Sequence, residues 1–386
     1  MRENSVRPPV ALLVTRNFPP LLGGMEKVNA HLLEALLPTY AIALCGPAGC
    51  NGFVPAGTIV SESQIKPLPV FLIMTLWRTL QLALQYRPQW LLAGSGLTAP
   101  MTWLAARCVG AKVGVYLHGL DLVAPSRIYQ WLWLPFIRRC DIALVNSSHT
   151  AQLGAVRGVD SQRIHVLHPG TDLPIPDVAA AQVLRERYDF SQRPLLLSVG
   201  RLTRRKGLAE FVENALPAIL ARQPEALLVV IGDEAVDALH GGSGSERERI
   251  LAAARRKGVE SSLRFLGRCD ELTLGAAYQA ADVHVFPVLE LQGDVEGFGM
   301  VALESAAHGL PTVAFAVGGV SDAVRNGVTG TLVKPGDYIA LSEAVIQRLS
   351  RIDVQTEVDA CRTFAAGKTW AVFGERLRQL LESARG

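Results

Sequence analysis

Paired cysteines are missing from this sequence. Cys45, Cys50, Cys108, Cys140, Cys269 and Cys361 form no C-x-x-C and fit no disulfide or zinc framework. A reducing cytosol is the expected compartment. Charge is sparse, at 19% of residues, and no basic cluster interleaved with aromatics is present, so no nucleic-acid partner is expected. There is no Walker A pattern and no G-x-G-x-x-G, which argues against an ordinary NTPase or a dinucleotide enzyme. No His/Cys/Asp/Glu spacing suggests a metal centre, so neither metal nor cofactor is expected. Met1 to Pro9 lack the apolar core of a signal peptide. The uncharged run 88–106 is broken by Gly94, Ser95, Gly96, Thr98 and Pro100, and the run 67–77 falls short of the about 20 residues a span needs. No transmembrane helix is expected.

What is present is apolar. Of 386 residues, 49% are hydrophobic, and mean hydropathy is +0.24. That suits parallel strands covered on both faces, or contact with a greasy ligand. The length suits two domains. Residues 1–177 carry a net charge of +5 and the remainder −2, so an anionic surface or a phosphorylated substrate would suit the first half.

Short apolar runs alternate with helical stretches, the pattern of a parallel α/β sheet. Strands are expected at 10–15, 41–45, 90–93, 112–117, 142–146 and 164–167, with a helix over 25–37. Residues 168–176, rich in Pro and Gly, read as a linker. The alternation then restarts, with strands at 195–199, 226–231, 263–266, 283–286 and 312–316 and a helix over 207–221. The expected organisation is residues 1–177, residues 178–369, and a final helix over 370–386.

Ligands of open parallel sheets bind beyond the carboxyl ends of strands, and each conspicuous loop follows one. Gly23 and Gly24 precede a helix, where exposed amides favour an anion; a turn without function reads equally well. His118 ends a strand with Asp121 three residues on, able to orient a hydroxyl or simply to bond its own fold. Arg201 and Lys206 flank a turn that could grip a diphosphate; the competing reading is a solvated basic loop. Gly232 and Asp233 close another strand. The densest pattern is Glu296-Gly297-Phe298-Gly299-Met300-Val301-Ala-Leu-Glu304. A helix starting near Phe298–Gly299 would aim amides at an anionic leaving group; otherwise the pattern is an amphipathic helix with two surface acids.

Phe286-Pro287, Glu296-x7-Glu304 and Ser305-Ala-Ala-His-Gly309-Leu-Pro311 together resemble the signature of glycosyltransferase family 4. The likeness continues through Gly318-Gly319, Asn326-Gly327, Thr329-Gly330 and Pro335-Gly336-Asp337. Upstream it includes Gly200-Arg201 with Lys206-Gly207. The resemblance implies a retaining enzyme of the GT-B fold, with two facing Rossmann-like domains and a C-terminal helix crossing back. By position, Arg201 and Lys206 would hold the donor diphosphate and Glu304 the ribose. Glu296 would contact the donor sugar, and the turn from Gly297 to Val301 both sugar and phosphates. Gly24 would support the reaction centre, with Gly23 beside it, and His118 would touch the sugar. No metal is implied.

One departure stands out: Gly232-Asp233-Glu234-Ala235 replaces the family's G-x-G-P, which puts base recognition there in question. The loop 288–295 resembles the phosphatidylinositol mannosyltransferase branch, pointing to GDP-mannose, with a UDP-sugar as the alternative donor. The segment 127–139, with Trp131, Trp133 and Phe136 among Arg127, Arg138 and Arg139, suggests an anionic membrane surface and a lipid-linked acceptor. Core packing of the tryptophans is the alternative. The rival functions are a nucleotide-sugar epimerase of the same fold and a non-catalytic nucleotide-sugar-binding module.

Overall fold

The computed structural model describes residues 8–234, 245–350 and 355–384. The chain forms two compact units, Met1–Gly170 with Trp370–Gly386, and Thr171–Thr369.

The first unit is a seven-stranded sheet: β1 (Val10–Val14), β2 (Ala41–Pro47), β3 (Ile59–Ser63), β4 (Trp90–Ala93), β5 (Lys112–Leu117), β6 (Ile142–Val145) and β7 (Ile164–Val166). Its order is β3-β2-β1-β4-β5-β6-β7. The second unit holds β8 (Leu195–Val199), β9 (Leu227–Ile231), β10 (Leu263–Gly267), β11 (Val283–Phe286), β12 (Thr312–Phe315) and β13 (Gly330–Val333), in the order β10-β9-β8-β11-β12-β13. Every ladder between these strands is parallel. The α/β class expected from the alternation is the one observed. In each sheet the winding reverses once, at β1/β4 and at β8/β11, and such reversals open a crevice at the strands' carboxyl ends.

Burial on both faces explains the unbroken apolar runs. In β8, Leu196 enters one core with Leu228, Val230 and Phe286, while Leu195, Leu197 and Val199 enter the other with Leu227, Val229 and Ile231. The two strands not foreseen, β3 and β13, both lie at sheet edges. Their residues are mostly half-buried and include Ser, Glu, Gly and Thr, so their hydrophobic signal is weak.

Two helices differ from expectation. The stretch 207–221 is two helices, Leu208–Asn214 and Leu216–Arg222. Pro217 cannot donate to the i−4 carbonyl and its ring clashes there, so the helix restarts. The apolar run read as ending at Trp77 continues as one 19-residue helix, Leu68–Tyr86, long and apolar enough to cross a membrane by length and composition. The premise that this run is too short therefore fails. Its inner face, Phe71, Thr75, Thr79, Leu82 and Ala83, is buried, and the helix packs on β1, β2, β3 and the helix Ala99–Val109. The C-terminal helix Trp370–Ser383 packs on Gly24–Leu36 in the first unit. It buries Phe373, Leu377, Leu380 and Leu381, and Arg378 Nη1 donates to the Ala35 carbonyl at 2.9 Å.

Candidate active site

At the second unit's reversal point, charged side chains converge. The loop after β8 forms a short 3-10 turn, Arg204–Lys206, and the Leu289 amide donates 2.8 Å to the Arg205 carbonyl. The loops after β8 and β11 are thereby tied together. Between them lies an ion cluster. Lys206 Nζ sits 2.7 Å from Glu296 Oε2, Arg205 Nη1 pairs with the same oxygen, and Arg205 Nε lies 3.1 Å from Asp294 Oδ1. Glu296 is 12% exposed and both cations 15%. Lys206 Nζ also stands 4.6 Å from the Phe286 ring centroid, a cation–π distance.

Burial would raise the Glu296 carboxyl, but Arg205 and Lys206 overcome it and hold the group at about 2. Lys206 lies below the usual lysine value. Its own burial comes first, and the positive charges of Arg205 and Arg201 offset part of the pull of Glu296. His284, buried on β11 with Nδ1 3.0 Å from Thr312 Oγ1, is pushed down to about 3 by burial and by Lys206. Within the cluster Glu296 is an ionised carboxylate between two cations, and the exposed Arg201 acts on Lys206 from its margin.

The backbone holding Glu296 is fixed from behind. Gly319 donates its amide to the Glu296 carbonyl at 2.8 Å, and a Cβ at Gly319 would lie 2.0 Å from the Gly297 carbonyl oxygen. Only glycine allows that approach. Gly299, at φ 95, then caps the helix Met300–Ala307, a left-handed position that other residues resist. The helix begins at Met300, so the amides of Met300 and Val301 lie in its first turn, where an anion is favoured. Phe298 is buried. Glu304 lies a turn further on, not in the ion cluster: its Oε2 is 3.5 Å from the Tyr278 hydroxyl, and His308 stacks on Tyr278 at 4.9 Å.

Gly232 and Asp233 tie the ends of neighbouring strands. The Gly232 amide donates to the Gly267 carbonyl, and the Leu202 amide to the Asp233 carbonyl. The Asp233 side chain is exposed. Glu234, at the departure from the family pattern, caps the helix Glu246–Lys257: its carboxylate accepts from the amides of Glu246 and Arg247 at 3.3 and 2.8 Å. Ala235 lies outside the described residues.

In the first unit, the loops after β1, β4 and β5 share a polar network. Asn29, fully buried, donates through Nδ2 to Thr15 Oγ1 at 3.1 Å, the Asn17 carbonyl at 2.9 Å and the Gly94 carbonyl at 3.2 Å. Asn17 Nδ2 donates 2.8 Å to Glu26 Oε1, in the first turn of the helix that begins at Gly24, which Gly23 precedes. His118 Nε2 lies 3.0 Å from the same Gly94 carbonyl. A carbonyl only accepts, so Nε2 carries the proton, and in the neutral ring Nδ1 is the acceptor. Asp121 fixes the turn, accepting the amides of His118 and Gly96 at 2.8 and 3.0 Å.

Sequence reading paired Arg201 with Lys206 and passed over Arg205, Asp294 and Asn29. The double arginine before Lys206 was the available signal for Arg205, and Asn29 gave none. Among the described residues, no group of three His, Cys, Asp or Glu could hold a metal ion.

Residues 22–174 match the profile described as Glycosyltransferase Family 4, and residues 182–357 that of Glycosyl transferases group 1. A Mycobacterium tuberculosis protein, GDP-mannose-dependent alpha-(1-6)-phosphatidylinositol monomannoside mannosyltransferase, is 30% identical over 383 residues, covering 93% of this chain and 92% of its own. The chain belongs to glycosyltransferase family 4. The Mycolicibacterium smegmatis protein of the same name is 28% identical over 410 residues, covering 97% of this chain and 98% of its own. Among solved structures, Anabaena Alr3699/HepE in complex with UDP and glucose superposes with a TM-score of 0.80, at 18% identity, over 97% of this chain and 100% of its own. That likeness establishes the GT-B architecture for this glycosyltransferase.

Proposed function

We propose that this glycosyltransferase moves a hexose from a nucleotide-sugar to the hydroxyl of a lipid-linked acceptor with retention of configuration, and that GDP-mannose is its donor. The observation that carries the reading is the ion cluster at the β8/β11 reversal. It places Lys206 on Glu296 beside a helix N-terminus, where an anionic leaving group would be met by Lys206, the nearby Arg201 and backbone amides. The mycobacterial relatives support mannose and a phosphoinositide acceptor.

In this mechanism Lys206 and Arg201 take the charge that builds on the departing diphosphate. No metal ion is required. Glu296, held ionised, accepts hydrogen bonds from sugar hydroxyls and does not form a covalent intermediate. The leaving phosphate helps deprotonate the acceptor on the same face of the sugar. Glu304 holds the ribose, Gly24 supports the reaction centre, and His118 contacts the donor sugar through Nδ1.

Surface chemistry of the first unit supports a lipid acceptor at the cytoplasmic membrane face. The Leu68–Tyr86 helix exposes Val70, Ile73, Trp77 and Leu84 along one stripe, a spacing that keeps them on one face. Ile128 and Trp131 are 68% and 78% exposed, among exposed Arg127, Arg138 and Arg139. Trp133 and Phe136 do not share that exposure: Trp133 Nε1 donates to the Leu97 carbonyl at 2.8 Å, and Phe136 packs edge-on against Trp103.

The test is transfer from labelled GDP-mannose, with UDP-glucose alongside, to phosphatidylinositol monomannoside in vesicles, with NMR of the first-formed product. An α-linked mannoside supports the proposal. An inverted product refutes retention, transfer only from UDP-glucose refutes the donor, and a changed sugar without acceptor points to an epimerase.

A further inference from the structure

Glu296 Oε2 accepts from two cations at once. The proposed reaction takes one of them away. When a diphosphate arrives, Lys206 is drawn to it, and a carboxylate 12% exposed loses half of its compensation. A buried carboxylate without a partner protonates or swings out toward water. Another group must hold it, and Arg205 is built to do so. Its Nη1 is on Glu296, while its Nε is braced on Asp294 at 3.1 Å. Its carbonyl is fixed by the Leu289 amide at 2.8 Å. The planar guanidinium reaches both carboxylates in one geometry, which an ammonium cannot do. We infer that Arg205 is a positioning residue that keeps Glu296 ionised and aimed while Lys206 leaves it for the donor diphosphate, with Asp294 locking the arginine fork.

The inference rests on the donor site proposed above. Two further titratable groups stand near Lys206. Arg201 acts on Lys206 from the same loop, and His284 lies within the field of Lys206. Neither makes the contact that Arg205 makes.

Three variants, Arg205→Gln, Arg205→Lys and Lys206→Ala, separate the alternatives once folding is checked by circular dichroism. Binding is read calorimetrically with GDP itself, and kcat and KM for GDP-mannose are measured across pH. Arg205→Gln is expected to lower kcat about 30-fold while KM changes less than about 3-fold, because the loss is felt after the donor is bound. The acid limb of its kcat profile should move to higher pH, since that limb reports groups in the substrate complex. Arg205→Lys keeps the charge but not the fork, and should fall between Arg205→Gln and the unaltered protein in both respects. Lys206→Ala should weaken GDP binding. A wild-type acid limb and kcat in Arg205→Gln overturn the role of Arg205 while leaving the donor site standing. A large rise in KM at unchanged kcat also overturns it, making Arg205 a donor ligand. If Lys206→Ala binds GDP as tightly as the unaltered protein, the donor-site reading falls and the Arg205 assignment with it.

Discussion

Replacing Glu296 with Gln keeps the side chain's size and removes its charge. An isolated glutamate titrates near 4.5, whereas Glu296 is held at about 2. At about 1.4 kcal/mol per decade, the surroundings favour its ionised form by about 3 kcal/mol. The folded value lies below the unfolded one. This stabilisation is therefore complete above pH 4.5 and is lost as pH falls toward 2. At pH 7, Glu296→Gln loses that contribution and leaves Arg205 and Lys206 without their shared partner, a defect typically costing about 3–5 kcal/mol. Part is recovered, because Lys206 already sits below its ordinary value and can shed its proton. A net loss of about 3 kcal/mol corresponds to roughly 6–12 °C in Tm for a domain of this size. Thermal and urea unfolding of both proteins should show the full gap at pH 7 and its closure between pH 4.5 and pH 2. Equal stability at pH 7, or a gap that does not narrow in acid, would refute the account of Glu296 as a carboxylate stabilised by its two cations.

Asn29→Ala should cost about 2–3 kcal/mol in chemical denaturation, since it leaves the Thr15, Asn17 and Gly94 acceptors short of a buried donor. Gly319→Ala should destabilise by about 2–4 kcal/mol and lower kcat, because the added methyl must displace the Gly297 carbonyl and with it Glu296; a variant crystal structure with an unmoved Glu296 would contradict this. Trp77→Ser with Trp131→Ser should change Tm by less than about 2 °C, as both side chains are exposed. The same pair should markedly reduce co-sedimentation with anionic vesicles; undiminished sedimentation would leave the exposed stripe without that role.

The central strands were legible because parallel strands buried on both faces write themselves as apolar runs. Val283–Phe286 and Leu195–Val199 were located to the residue. The edge strands Ile59–Ser63 and Gly330–Val333 were not, because their half-buried runs mix Ser, Glu, Gly and Thr with the apolar residues. Pro217 carried the signal for a helix break, but a proline at a helix start and one inside a helix look alike in a string. At the site, the loops were found because glycines and charges cluster after strands. What could not be read was which charge meets which. The pairing of Arg205 with Asp294 and Glu296 depends on two loops about ninety residues apart, tied by the backbone hydrogen bond from Leu289 to Arg205. Asn29 is hidden for a related reason: its partners are mostly carbonyls, and sequence does not encode their direction.

The chain leaves the first unit at Gly170 and re-enters it at Trp370. The Thr171 amide donates to the Lys368 carbonyl at 2.9 Å, so the two ends of the intervening segment lie side by side. The second unit is therefore a topological insertion whose two ends meet in a clasp. During vectorial synthesis that inserted unit emerges whole while the first still lacks its last helix. Phe373, Leu377 and Leu381 can seal the face of the Gly24–Leu36 helix only after residues 171–369 have been made. The first-born half of the polypeptide is thus the last to be finished, and a nascent chain stalled before Trp370 would carry a completed second unit beside an unsealed first one.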